Sequence, residues 1–165
     1  MRGLVLSLFP GIGLLDRAFE EEEAVRLGHA WAAALIDGEG CITIGKARQS
    51  HAGRTVYYRA DVKVSNTVRP LLNPLETLFG GRVDHVRKND SRKRDAWQWT
   101  TTGSAHTAQV LTAVRPFLIA KRAQADNALK ACALLVRKGG RRPADELERL
   151  EEIKQAMHQL NGRGK

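Results

Sequence analysis

The carboxylate of Glu39 stands near the end of the run Ala32-Ala33-Ala34-Leu35-Ile36-Asp37-Gly38-Glu39-Gly40. Alanine and leucine favour helix, and the glycines on either side of Glu39 let the backbone leave that helix and come close to a partner. A carboxylate placed by the backbone, and not buried by it, can hold a hard cation such as Mg²⁺. Ala30, Ala33 and Ala34 are small residues at helical spacing, so two copies of this helix can approach and bring two Glu39 carboxylates together. Like charges at that distance repel unless a cation lies between them, and this charge pairing supports Glu39 as a metal ligand. Asp37 is two residues away, off the Glu39 face of the helix, and reads as a helix-end cap instead. The same run also fits an alanine-rich core helix with a glycine stop, Glu39 then being a capping or solvent-facing acid.

The elements around Glu39 can be read from periodicity. A helix is expected over residues 27–38, followed by a strand over 41–48, a polar turn through Ser50, Gly53 and Arg54, and a second strand over 55–65. In that second strand Val56, Tyr58, Ala60, Val62 and Val64 alternate with Tyr57, Arg59, Asp61, Lys63 and Ser65, the signature of a half-exposed antiparallel strand. Residues 68–79 read as a helix, with Pro70 tolerable in its first turn, Pro74 bending or restarting it, and Gly80-Gly81 ending it. A hairpin follows over 82–88 and 94–101, connected through Asn89-Asp90-Ser91, with Trp97 and Trp99 inward and Gln98 on the polar face. Helices are expected over 104–114 and 119–136. A last helix follows Pro143 and carries Leu147, Leu150, Ile153, Met157 and Leu160 on one stripe.

The 165 residues suffice for one domain with its own core, without disulfides or a structural metal. Cys41 and Cys132 lie far apart and read as two small buried hydrophobes in a reducing compartment. No Cys/His cluster has zinc-ligand spacing. Charge interrupts every apolar stretch before it reaches membrane length, so no membrane association is expected. The short apolar run after Arg2 is a poor secretion signal, given Pro10, Gly11, Gly13 and the acids Glu20 to Glu23. The formal charge is +9, from 27 Lys and Arg against 18 acids, spread over several segments. Such a field favours a polyanionic partner, although a merely basic surface fits the same count.

The run from Ala32 to Gly40, followed by Cys41-Ile42-Thr43-Ile44, resembles the signature of the LAGLIDADG homing endonucleases, and the resemblance extends over residues 27–136. It implies an α+β, αββαββα fold with a curved four-stranded antiparallel sheet over DNA, to which the C-terminal helices are additional. It also implies site-specific double-stranded DNA cleavage, one phosphodiester per strand, with Mg²⁺ (Mn²⁺ substituting) and short 3′ overhangs. Only one signature is present, so the resemblance is to the single-motif homodimeric type, with a long, roughly palindromic target. Lys121, which follows Arg115-Pro116-Phe117-Leu118, resembles the family's central lysine beside the phosphate, and Asn66 stands where relatives carry a residue that orients metal-bound water. Glu39, Asn66 and Lys121 are thus the expected catalytic residues, Glu39 being the metal ligand. Arg69 is a weaker phosphate-side candidate. The outward strand face supplies the expected DNA contacts: Thr43, Tyr57, Arg59, Asp61, Lys63, Arg87 and Gln98. Asp61 can accept from cytosine or orient Arg59.

Within residues 4–23, Leu6-Ser7-Leu8-Phe9-Pro10-Gly11-Ile12-Gly13-Leu14-Leu15-Asp16-Arg17-Ala18-Phe19-Glu20 resembles the opening strand, glycine turn and helix of DNA cytosine-5 methyltransferases. The elements that complete such a cofactor domain do not follow, and neither cysteine follows a proline. Residues 1–23 are therefore expected to be a host-gene remnant with no functional S-adenosylmethionine site, and 24–165 the endonuclease domain. The fusion points to an intron- or intein-type origin and to an intracellular setting. A non-cleaving DNA-binding protein or maturase is the competing class, and a methyltransferase fragment a third.

Overall fold

The computed structural model describes residues 13–48, 56–86, 95–136 and 142–162. The element order is α1 (Gly13–Glu39), β1 (Gly40–Arg48), β2 (Val56–Asn66), a 3₁₀ turn (Arg69–Leu71), α2 (Asn73–Phe79), β3 (Arg82–Val86), β4 (Ala96–Thr100), α3 (Ser104–Val114), a second 3₁₀ turn (Arg115–Phe117), α4 (Arg122–Leu135) and α5 (Ala144–Gly162). The αββαββα order is therefore present, with α4 and α5 following the second hairpin-and-helix unit. Two antiparallel hairpins lie side by side in one sheet of order β1-β2-β4-β3, and β2 and β4 also pair antiparallel.

Strand alternation divides the sheet into two chemically different faces. Ile42, Ile44, Tyr58, Ala60, Val62, Val64 and Trp99 are buried together with Ala32, Ala33 and Ile36 of α1, Val110, Leu111 and Val114 of α3, and Ala125, Ala128 and Ala131 of α4. The small residues of α1 and α4 let these helices approach the sheet closely. Each large apolar side chain taken out of water here contributes about 1.5–3 kcal/mol. Trp99 also donates its indole N–H to the Gly80 carbonyl at 2.8 Å. Gly81 has φ 92°, and a Cβ there would stand 2.8 Å from Trp99 Nε1, so this turn requires glycine.

Several expected boundaries shift. Helix α1 starts at Gly13 and is continuous through the expected domain boundary after Glu23; over 19–27 it consists mainly of strong helix formers with exposed side chains, including Phe19 and Leu27. Pro74 restarts the helix: the 3₁₀ turn ends at Leu71, and Pro74 sits in the first turn of α2. Cys41 is exposed and only Cys132 is buried, because Cys41 shares the outward parity of Thr43. Burial raises the Cys132 thiol to about 11. On α5, Leu150 and Met157 are buried, while Leu147 and Ile153 pack against the core from its margin. Glu151 accepts from Lys46 Nζ and Tyr58 Oη, both at 2.6 Å, and Asn161 Nδ2 donates to the Ile42 carbonyl at 3.1 Å. These bonds fasten α5 to the β1–β2 hairpin. Among the described residues, no helix is long and apolar enough to cross a membrane.

Candidate active site and strand face

Glu39 is the last residue of α1, and its side chain is exposed. Gly40 begins β1 opposite Val64. A Cβ on Gly40 would lie 2.6 Å from the Ile36 carbonyl oxygen, so only glycine permits the helix to turn into the strand this tightly. Gly38 has open space around it. The sequence thus delivers a carboxylate to the point where the central helix meets the sheet.

Asn66 ends β2, two residues beyond Val64, and therefore lies at the same end of the sheet. Its Oδ1 accepts from the Val68 backbone N–H at 2.8 Å, an Asx-type turn that takes one of the two acceptor sites of that oxygen. The third expected catalytic residue, Lys121, lies just before α4 and not inside it. Its Nζ donates to the Asp37 carbonyl oxygen.

The later start of α4 has a cause remote in sequence. The Asp37 carboxylate accepts from the backbone N–H groups of Ile119 (2.7 Å), Ala120 (3.2 Å) and Lys121 (2.8 Å). Burial alone would raise the Asp37 carboxyl, but these three donors and the Lys121 charge outweigh it and hold the group below its ordinary value. Asp37 thus does more than end its own helix: it joins α1 to the 119–121 turn and ties Lys121 to the helix two residues before Glu39. Sequence reading gave Asp37 a capping role without finding this partner, because no local pattern announces a contact across 82 residues. Arg69 stacks its guanidinium over Trp97, 4.9 Å from the ring centroid.

The outward strand face carries most of the expected DNA contacts. By register, Thr43, Tyr57, Arg59, Asp61, Lys63 and Gln98 all lie on the face opposite the core. Tyr57 and Arg59 are exposed; Thr43, Lys63 and Gln98 are half-buried. Gln98 Nε2 donates to Ser65 Oγ at 2.8 Å. Asp61 is only 3% exposed and takes the Arg59 Nε–H at 2.7 Å, so within this chain it orients Arg59. Arg87 and the expected Asn89-Asp90-Ser91 connection lie outside the described residues. Sequence reading missed Arg82 and Asp84, which the β3–β4 register sets beside Thr100 and Gln98. With Arg59 and Lys63 they line a polar basin of about 340 Å³.

The described residues contain no group of three His, Cys, Asp or Glu able to surround a metal. Glu39 is exposed at this end of the sheet, where the register also sets the half-exposed Asp84 beside Gln98. On α1, Ala33 packs into its own core, whereas Ala30 is half-buried and Ala34 exposed. Leu27, Trp31, Ala34 and Gly38 form an exposed stripe at helical spacing.

No protein-family model and no curated protein sequence matches the chain. Solved structures do. The homing endonuclease I-CvuI, in complex with its target, aligns at TM-score 0.71 and 20% identity over 84% of each chain. The archaeal intron-encoded homing endonuclease I-Vdi141I, complexed with DNA, aligns at 0.63 and 16% identity, covering 87% of this chain and 85% of that one. The LAGLIDADG homing endonuclease I-LtrWI, bound to target DNA, aligns at 0.62 and 20% identity over 77% of this chain but 43% of its own. With the element order, the sheet topology and the placement of Glu39, these likenesses show that the chain has the LAGLIDADG homing-endonuclease fold.

Proposed function

We propose that this protein is a divalent-metal-dependent, site-specific DNA endonuclease that acts as a homodimer and cuts one phosphodiester on each strand, leaving short 3′ overhangs. The observation that carries this reading is the junction itself: an exposed carboxylate at the end of the central helix, two residues after the aspartate to which Lys121 is tied, at one end of a polar strand face. Matches covering most of the shorter relatives and under half of a longer one support two such units per assembly. The exposed Leu27, Trp31, Ala34 and Gly38 stripe is the face on which a second copy would bring its own Glu39 near.

The donor set fits Mg²⁺, which binds through one or two carboxylates, keeps several waters and completes its shell with phosphate oxygen. Glu39 from each copy would hold the ion, which would supply Lewis-acid activation of water and charge neutralisation at the phosphate. The chain's own residues do the positioning. Lys121 contributes positive charge near the scissile phosphate, while Asp37 holds the turn that carries it. Asn66 presents its amide to a water from the strand end. Thr43, Tyr57, Arg59, Asp61, Lys63, Gln98 and Arg87 form or support the DNA contacts. Residues 1–23 are a host-gene remnant with no methyl-transfer role, which points to the uninterrupted methyltransferase gene as the target.

One observation favours a second reading. Asn66 is turned back on its own strand end by the bond from Val68, which leaves it less to offer a water and suits a DNA-binding protein of this fold that does not cut. Incubating the purified chain and Mg²⁺ with a DNA library containing the uninterrupted junction separates the two. Paired breaks at one site support cleavage; stable binding without breaks supports the second reading; random nicking, or cutting unaffected by removal of the junction, rejects the proposed target.

A further inference from the structure

Two arginines on the outward strand face are held in the same way. Arg59 Nε donates to Asp61 Oδ2 at 2.7 Å on β2, and Arg82 Nε donates to Asp84 Oδ2 at 2.6 Å on β3. In each pair the residues are two apart on a strand, which puts both on one face. The arginine side chains are 56% and 72% exposed. Because each aspartate takes the Nε–H, the two Nη groups at the tip remain as donors, and they bond to nothing among the described residues. Asp61 is the more unusual member: it is almost fully buried, and its Oδ1 has no partner among the described residues.

We infer that Arg59 and Arg82 are guanine-reading residues, held in position by Asp61 and Asp84. The inference rests on the DNA-binding reading above and specifies what that surface recognises. An arginine meant for phosphate gains nothing from a neighbouring carboxylate, which cancels the charge that attracts the phosphate. An arginine meant for a base edge keeps its fork of donors when the pair is neutral, and its preset geometry matches guanine O6 and N7. Lys63, with no acid paired to it among the described residues, suits the phosphate role. Arg82 lies two strands from Lys63 in register, through Thr100, and Arg59 lies four residues along β2. Strand spacings put the two arginine Cα atoms about 16 Å apart, a separation of roughly five base pairs.

The test is selection of randomised duplex DNA by the full chain in metal-free buffer, followed by sequencing. Each half of the selected site should carry two fixed guanines roughly five base pairs apart. Arg82→Gln should lose one and Arg59→Gln the other, with the salt dependence of binding little changed. Replacing a fixed guanine by 7-deazaguanine, which lacks N7 but keeps O6, should weaken wild-type binding roughly 5-fold, the low end of the range for a whole bidentate contact. The same replacement should leave the variant lacking the corresponding arginine unaffected. Asp84 is half-exposed, so Asp84→Asn should fold; it should lower the preference for guanine over adenine more than total affinity. Selected sites without these guanines, or indifference to 7-deazaguanine, overturn the inference while leaving DNA binding intact. Absence of any enriched site overturns it together with the DNA-binding reading.

Discussion

Replacing Asp37 tests the link between the central helix and the turn that holds Lys121. A hydrogen bond to a charged group contributes about 1.5–3 kcal/mol, but the three donors do not count equally. Ile119 and Ala120 are exposed, so their N–H groups find water when the carboxylate is removed. Lys121 is half-buried and also donates to the Asp37 carbonyl, so its N–H recovers less. One full contribution and two small ones make Asp37→Ala destabilising by about 2 kcal/mol, or a fall of about 4–8 °C in Tm for a domain of this size. Asp37→Asn keeps an acceptor oxygen and should lose about half of that. The sign with pH follows from the lowered carboxyl: the unfolded chain takes up this proton more readily, so the contribution is present above the ordinary value of 3.8 and is lost as pH falls below it. Thermal melts and urea titrations measure the stability, and amide hydrogen exchange at residues 119–121 reports the local release. A Tm within 1 °C of wild type, with unchanged exchange at those amides, would refute the reasoning.

Glu151 predicts an acid-dependent loosening of α5. Hydrogen bonds from Lys46, Tyr58 and Lys154 hold its carboxyl at about 2 against an ordinary 4.5, so its contribution should fade between those pH values and disappear from the urea midpoint of Glu151→Gln; equal pH slopes for the two proteins would contradict it. Trp31→Glu puts a charge on the exposed α1 stripe and should convert a particle of twice the 18.3 kDa chain mass to monomer without unfolding it; a dimer persisting by solution mass measurement would locate the interface elsewhere. Deletion through Glu23 removes none of the described core residues and should leave DNA cleavage largely intact; S-adenosylmethionine binding lost on that deletion would overturn the remnant reading.

Features governed by short-range periodicity were legible from sequence. The alternation in β2 identified its buried face, because a strand covered on one side must repeat every second residue. Helix α3 runs over the expected 104–114, between a positive-φ glycine and Pro116. Features set by distant partners were not legible. The start of α4 depends on Asp37, far away in the chain. Helix α1 extends to Gly13 because propensity carries it past the residues that pack, while the glycine turn and resemblance of the early segment suggested a separate unit. Asp61 looked outward by parity and is outward, yet Arg59 and its neighbours bury it. Arg82 and Asp84 became visible as a pair only once the β3–β4 register set them on the Gln98 face.

Glu39→Gln, compared with wild type at matched salt, tests the central claim most directly. The substitution keeps size and an acceptor oxygen but removes the charge that Mg²⁺ needs, at an exposed position where folding has little at stake. Metal-free DNA binding should survive or tighten, since a negative charge facing the phosphates is gone. Mg²⁺-dependent cutting of both strands should nearly vanish. Near-wild-type cleavage by Glu39→Gln would contradict the account and remove its main catalytic residue.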